Sequence, residues 1–211
     1  MAAPRPLHRP STVDALADVL RREILDGVLP PGAWLREREL CETYGVARHT
    51  LRAALRALAV EGLVKIEPHR GAHVAELTKQ EASWLYELRA ALELEAAHLA
   101  LERNDGRLPQ PVHDALHRLE AAATRDRWSE INEAHANLHA AIVAAAGSPR
   151  IAAAHAALSG EMRLFLLALK PHLPTAELAR DHRALIEGLE RDGPEVLREH
   201  LRAAADTLAG A

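Results

Sequence analysis

The chain has 211 residues, 48% hydrophobic and 27% charged, only 3% aromatic, with a formal net charge of −4 and one cysteine. The length allows one large or two small domains with a substantial core. A single Cys41 excludes an internal disulfide framework and reads as a small apolar residue. The longest apolar run, "AAIVAAA", is too short to span a membrane, and "MAAPRPLHRP" has no apolar run of the secretion-signal kind; the chain is expected in the cytoplasm. The acidic total argues against nucleic-acid binding over the whole surface. The charge is uneven, however: residues 1–76 hold 11 Lys+Arg and 10 Asp+Glu, while residues 77–211 hold 15 and 20. The near-neutral first part can still bind DNA if its cations gather on one face, which is not expected of the acidic remainder.

Residues 1–10 are expected to form a disordered tail. In "STVDALADVLRREILDG", Ser11 and Asp14 fit a capping box, and Val13, Leu16, Ala17, Leu20 and Ile24 recur at helical spacing until Gly27. "LPPGAWL" is a turn into a short extended piece. "RERELCETYG" predicts a second short helix stopped at Gly45. "VARHTLRAALRALAVEG" predicts a third, closed by Gly62, with Leu51, Leu55 and Leu58 on one face. The period then changes: Val64 and Ile66 alternate, Pro68 to Gly71 turn, and Ala72, Val74 and Leu77 follow, as in a β-hairpin. Three helices and a hairpin, with "YGV" joining helices two and three, predict a winged helix-turn-helix over residues 11–77.

From Thr78, which forms a second capping box with Glu81, helical periodicity dominates. About six helices are predicted over 78–211, broken at Gly106, Pro109, Pro111, Gly147, Pro149, Pro171, Pro174, Gly193 and Pro194. Alanine and leucine, both strong helix formers, fill their apolar positions. The expected fold is therefore mainly α: an N-terminal winged helix followed by an all-α antiparallel bundle.

A helix-turn-helix puts the start of its second helix in the major groove, where an arginine fork matches the guanine O6 and N7 acceptors. Arg48 and Arg52 are four apart and share a helix face; His49 and Thr50 lie beside them. Arg38 on the preceding helix and Arg70 at the hairpin tip can flank the same duplex. Any one of these arginines is more easily explained as a solvated side chain; it is their combination with turn, helix order and basic hairpin tip that points to DNA.

"REILDGVLPPGAWLREREL", "YGVARHTLRAALRALAVEGLV" and "RGAHV" resemble the DNA-binding domain of the GntR family of bacterial transcription regulators. The resemblance implies that Arg38, Arg48, Thr50 and Arg52 contact DNA, with Arg70 and Gly71 at the wing tip near the minor groove. The family often has serine at Ala47, threonine at His49 and glutamate at Ala53. These departures bear on operator sequence rather than on DNA binding.

The second constellation is histidine. His135 and His139 are i and i+4 on one helix; His182 and His200 flank the Gly193–Pro194 break and come to a similar level if their helices fold back. Neutral imidazole suits zinc, and bundles build metal sites from facing helices; the alternative is four hydrogen-bonded core or surface histidines. His98, His113, His117, His155 and His172 read as the latter. "ELRAALELEAAHLA", "NLHAAIVAAAGSPRI", "EMRLFL" and "DHRALIEGL" resemble the FCD effector domain that follows the winged helix in one GntR subfamily. Many FCD domains hold a divalent metal with one Asp or Asn and three His. The resemblance places His139 and His182 on two of the histidines and His135 on the Asp/Asn position. The last position falls on Ala204 without a gap, with His200 one turn earlier. Zinc, nickel and manganese all fit this expectation.

Arg89 shares a helix stripe with Leu85, Leu92 and Ala96, so it borders the core, where a guanidinium needs an anion. Glu93, one turn on, supplies one answer. The resemblance supplies another, since the equivalent arginine helps bind a carboxylate effector. The expected protein is a homodimeric regulator, of the repressor type common in the family, that binds a pseudo-palindromic operator and a small organic acid. The alternatives are a helical-bundle metal hydrolase with an accessory winged helix, and a winged helix that binds protein. There is no H-E-x-x-H motif and no evident nucleophile.

Overall fold

The computed structural model describes residues 11–125 and 127–209. The tail expected at 1–10 lies outside them. The element order is α1 (Thr12–Asp26), α2 (Glu37–Tyr44), α3 (Arg48–Val60), β1 (Val64–Glu67), β2 (Gly71–Val74), α4 (Lys79–Arg103), α5 (Gln110–Ala123), α6 (Trp128–Ala145), α7 (Pro149–Ala156), α8 (Ser159–Leu169), α9 (Thr175–Asp192) and α10 (Glu195–Ala209).

The first three helices and the hairpin form a winged helix-turn-helix around Leu20, Ile24, Leu51, Leu55, Leu58, Leu63 and Val74. Ser11 and Asp14 make the reciprocal capping box on α1, and Gly27 ends it in the left-handed region. Gly45, at φ 62°, ends α2 so that α3 can start three residues later. The strands pair antiparallel with Val64 opposite Val74. The alternation of the first strand fades at its end: Val64 is buried but Ile66 is 49% exposed.

The rest of the described chain is helical, packed around Leu116, Leu119, Ile131, Leu138, Phe165, Leu178, Leu185 and Ile186. Seven helices stand where about six are expected. The segment 149–170 is broken at Ala157 and Leu158, where α7 and α8 meet at a bend of 51°. No single described helix is long and apolar enough to cross a membrane.

The two parts meet through helix ends. The Asp26 carboxylate, at the C-terminus of α1, accepts from the Ser129 amide in the first turn of α6 at 2.7 Å. This supplies a cap that Arg127, the residue at the N-cap position, does not. Lys170 Nζ donates to the Asp26 carbonyl at 3.1 Å, a cation at a helix C-terminus. Gly160, in the first turn of α8, lies so close to the end of α3 that a Cβ there would stand 1.6 Å from the Glu61 carbonyl oxygen. Leu164 of α8 completes the winged-helix core.

Candidate nucleic-acid interface and metal centre

The start of α3 is the exposed end of the winged helix. Arg48, His49 and Arg52 are exposed and Thr50 is half-buried, while Leu51, Leu55 and Leu58 on the opposite face are buried. Ala47 occupies the N-cap and gives no side-chain acceptor. The first-turn amides of α3 therefore have no side-chain cap, an arrangement that suits a phosphate oxygen. Arg38 is exposed on α2. Arg52 donates from Nε to Glu37 Oε1 at 2.7 Å, so its fork leans toward α2. At the wing, Arg70 donates to Glu67 at 2.6 Å and its guanidinium carbon lies 5.3 Å from the Trp34 ring. Gly71, beside it, is exposed at φ 109°. Two of the expected DNA contacts are thus held by carboxylates on the protein surface, in water, where such pairs exchange readily.

The histidines gather inside the helical bundle. His135 and His139 of α6 and His182 of α9 are buried, and one ligand atom from each lies within 4.8 Å of the others. His200 of α10 is half-buried beside them, its ring centroid 4.6 Å from that of His182 and 5.9 Å from that of His139. Glu93 is the hub behind the cluster. It accepts from Arg89 Nε at 2.8 Å, from His139 Nδ1 at 2.8 Å and from His155 Nε2 at 3.1 Å. Burial would raise the Glu93 carboxyl, but Arg89 and His139 outweigh it and hold it well below the usual carboxylate range. Arg89 is itself fully buried; burial opposes its charge, and Glu93 and Tyr86 restore it.

Hydrogen-bond chemistry fixes the tautomers. An ionised carboxylate and a peptide carbonyl can only accept. His139 Nδ1 therefore carries a proton toward Glu93, and His182 Nδ1 donates its proton to the Leu178 carbonyl at 2.7 Å. Burial, then the neighbouring histidines, lowers His135 and His182 well below the ordinary imidazole value, which favours their neutral forms. Burial lowers His139 as well, against Glu93, and pushes His200 down to about 3. In these tautomers the facing Nε2 atoms of His139 and His182, 3.3 Å apart, both present lone pairs. Two bare acceptors at that distance repel unless a cation lies near both. The donor set therefore fits a divalent metal, with Glu93 orienting a ligand from behind.

Two residues of this network stand apart from the four expected ligands. Glu93 is foreshadowed by its i, i+4 spacing from Arg89 and is the anion that Arg89 meets. His155, on an alanine-rich helix, has no local signal.

A winged helix-turn-helix with an exposed cationic end to its third helix, docked on an all-helical domain with a nitrogen-lined cluster, defines a two-domain DNA-binding regulator. Comparison with known proteins agrees. Residues 12–74 match the profile of bacterial regulatory proteins, gntR family, and residues 84–207 match the FCD domain. The HTH-type transcriptional repressor GlaR of Escherichia coli (strain K12) is 30% identical over 201 residues, 86% of this chain and 89% of that protein. A probable D-xylose utilization operon transcriptional repressor of Paenarthrobacter nicotinovorans is 29% identical over 199 residues, 94% and 87%. Among solved structures, a GntR transcriptional regulator from Rhodococcus sp. RHA1 superposes with a TM-score of 0.73 at 26% identity, covering 94% of this chain and 98% of that one. The chain belongs to the GntR family of transcription regulators and carries its FCD domain. Its relatives are regulators, which decides against the metal hydrolase.

Proposed function

We propose that the protein represses transcription by binding a pseudo-palindromic operator as a homodimer in the cytoplasm, and that a small organic acid relieves it. Arg48 and Arg52 would read bases, with His49 and Thr50 beside them, Arg38 on the flanking backbone, and Arg70 and Gly71 at the minor groove. The observation that carries this reading is the uncapped, cationic start of α3 on a domain whose opposite face is fully buried. Two copies related by a two-fold axis match two half-sites.

His135, His139 and His182, with His200 next to them, would hold the divalent metal, which when bound supplies a Lewis-acid site for a carboxylate oxygen. With His135 in place of a carboxylate, the donors are all imidazole, which favours zinc or nickel over manganese. Arg89, buried with its Nε held by Glu93 beside the histidines that Glu93 also orients, would be the cation that meets an anionic effector.

The test is electrophoretic mobility of duplexes from upstream of the gene. Sequence-selective, salt-sensitive binding that weakens in Arg48→Ala and Arg52→Ala is expected. Undiminished selective binding by the double variant would refute the reading helix.

A further inference from the structure

A cleft of about 980 Å³ lies between the two domains. Its walls come from Arg22 of α1, Glu61 just after α3, Glu133 and Asn137 of α6, and Ser159 and Arg163 of α8. Arg163 is the exceptional member. Its guanidinium forms no hydrogen bond or ion pair among the described residues, and its Nε is buried without an acceptor. The side chain starts from a fixed point, because Asn132 Nδ2 donates to the Arg163 carbonyl at 2.8 Å.

The other charges of the cleft are largely committed. Glu61 takes both Nε and Nη2 of Arg21, at 2.7 and 2.5 Å, and Asp18 takes Nη1. Glu130 is shared by Arg125 and Arg127 at 3.4 and 3.0 Å. Glu133 faces Arg163 and favours its charge, but stays exposed and makes no ion pair with it. Burial lowers the proton affinity of Arg163, a cost that a bound anion relieves.

We propose that the interdomain cleft is a second ligand site, for a small oxyanion of the carboxylate or phosphate type, with the Arg163 guanidinium as its receptor. A planar fork suits the paired oxygens of such a group. None of His135, His139, His182 and His200 lines the cleft, although His155, which donates to Glu93, does. A ligand there touches the winged helix and the bundle at once. It therefore binds the docked arrangement differently from a released one, which is the condition for acting as a regulator.

The test is calorimetric titration of the full-length protein, stripped of metal with EDTA, with inorganic phosphate and with succinate separately at constant ionic strength. Saturable binding of at least one is expected, and which one separates the two oxyanion types. Arg163→Gln is expected to weaken it about tenfold or more, the loss of a charge-assisted hydrogen bond. Should that variant not fold, Arg163→Lys keeps the charge without the fork and is expected to lose several-fold. No binding of either anion to the wild type, or equal binding by the folded variant, overturns the site. Binding that appears only after zinc is restored, and is lost in His139→Ala, belongs to the histidine cluster and also overturns it.

Discussion

His139 and His182 present bare Nε2 atoms to each other across 3.3 Å, because each ring spends its proton on the far side, on Glu93 and on the Leu178 carbonyl. Two acceptors held this way attract a cation. The purified protein is expected to retain zinc or nickel near one equivalent per chain by elemental analysis, and the double variant His139→Ala, His182→Ala is expected to lose it. Glu93→Gln keeps the ligands but weakens the orientation of His139. It should lower metal affinity about 10–100-fold, read by competition with a chelator. Unchanged stoichiometry in the double variant would exclude the site.

Acid should destabilise the metal-free protein early. His135, His139, His182 and His200 have folded-state pKa values below the unfolded value, chiefly through burial. Below about pH 6.5 the unfolded chain therefore binds protons that the native chain refuses. The stability present above that pH is lost as pH falls, over a window reaching down to about 3 for His200. Each such histidine contributes at most about 1.4 kcal/mol per pH unit. Urea titrations at pH 7, 6 and 5 should show the decline, and His135→Leu should make it shallower. A flat profile would mean that the histidines are not buried neutral.

The local rules of helix ends made the winged helix legible. Ser11 with Asp14, Gly45 and Gly62 each act within a few residues, so the sequence carries them openly. The histidine convergence was also readable, since it needs only spacing on α6 and a fold-back at Gly193. The break between α7 and α8 was not: Ala157 and Leu158 are good helix formers, and the bend comes from tertiary packing that propensity does not encode. His155 was hidden for a similar reason, because its partner Glu93 is 62 residues away. The cap of α6 by Asp26 spans 103 residues, and Gly160 lies inside a helical stretch where nothing local marks its contact with Glu61.

Arg48→Ala should weaken operator binding about tenfold or more, as loss of one bidentate base contact does. Arg52 starts from an ion pair with Glu37, so Glu37→Gln should leave it freer and strengthen binding slightly, while Arg52→Ala weakens it. Fluorescence anisotropy on a labelled duplex, repeated at two salt concentrations, reads both. Equal affinities for wild type and Arg48→Ala would remove Arg48 from the reading set.

Gly160→Ala tests whether the two domains stay docked. The α3 helix ends in carbonyls and α8 begins in amides, so end-to-end contact at Gly160 joins opposite partial charges. No side chain fits there: a methyl group would overlap the Glu61 carbonyl. The Glu61 oxygen is backbone and an alanine Cβ has no rotamer to change, so no side-chain movement relieves the overlap. The chain must either absorb strain of about 1–3 kcal/mol, typical of overpacking, or let the winged helix move off the bundle and expose Leu164, which belongs to the winged-helix core. Either response lowers the melting temperature. Hydrogen exchange separates them, because release, unlike strain, would also deprotect the Ser129 amide that Asp26 caps. A melting temperature and exchange pattern equal to wild type would show that the contact is not kept in solution.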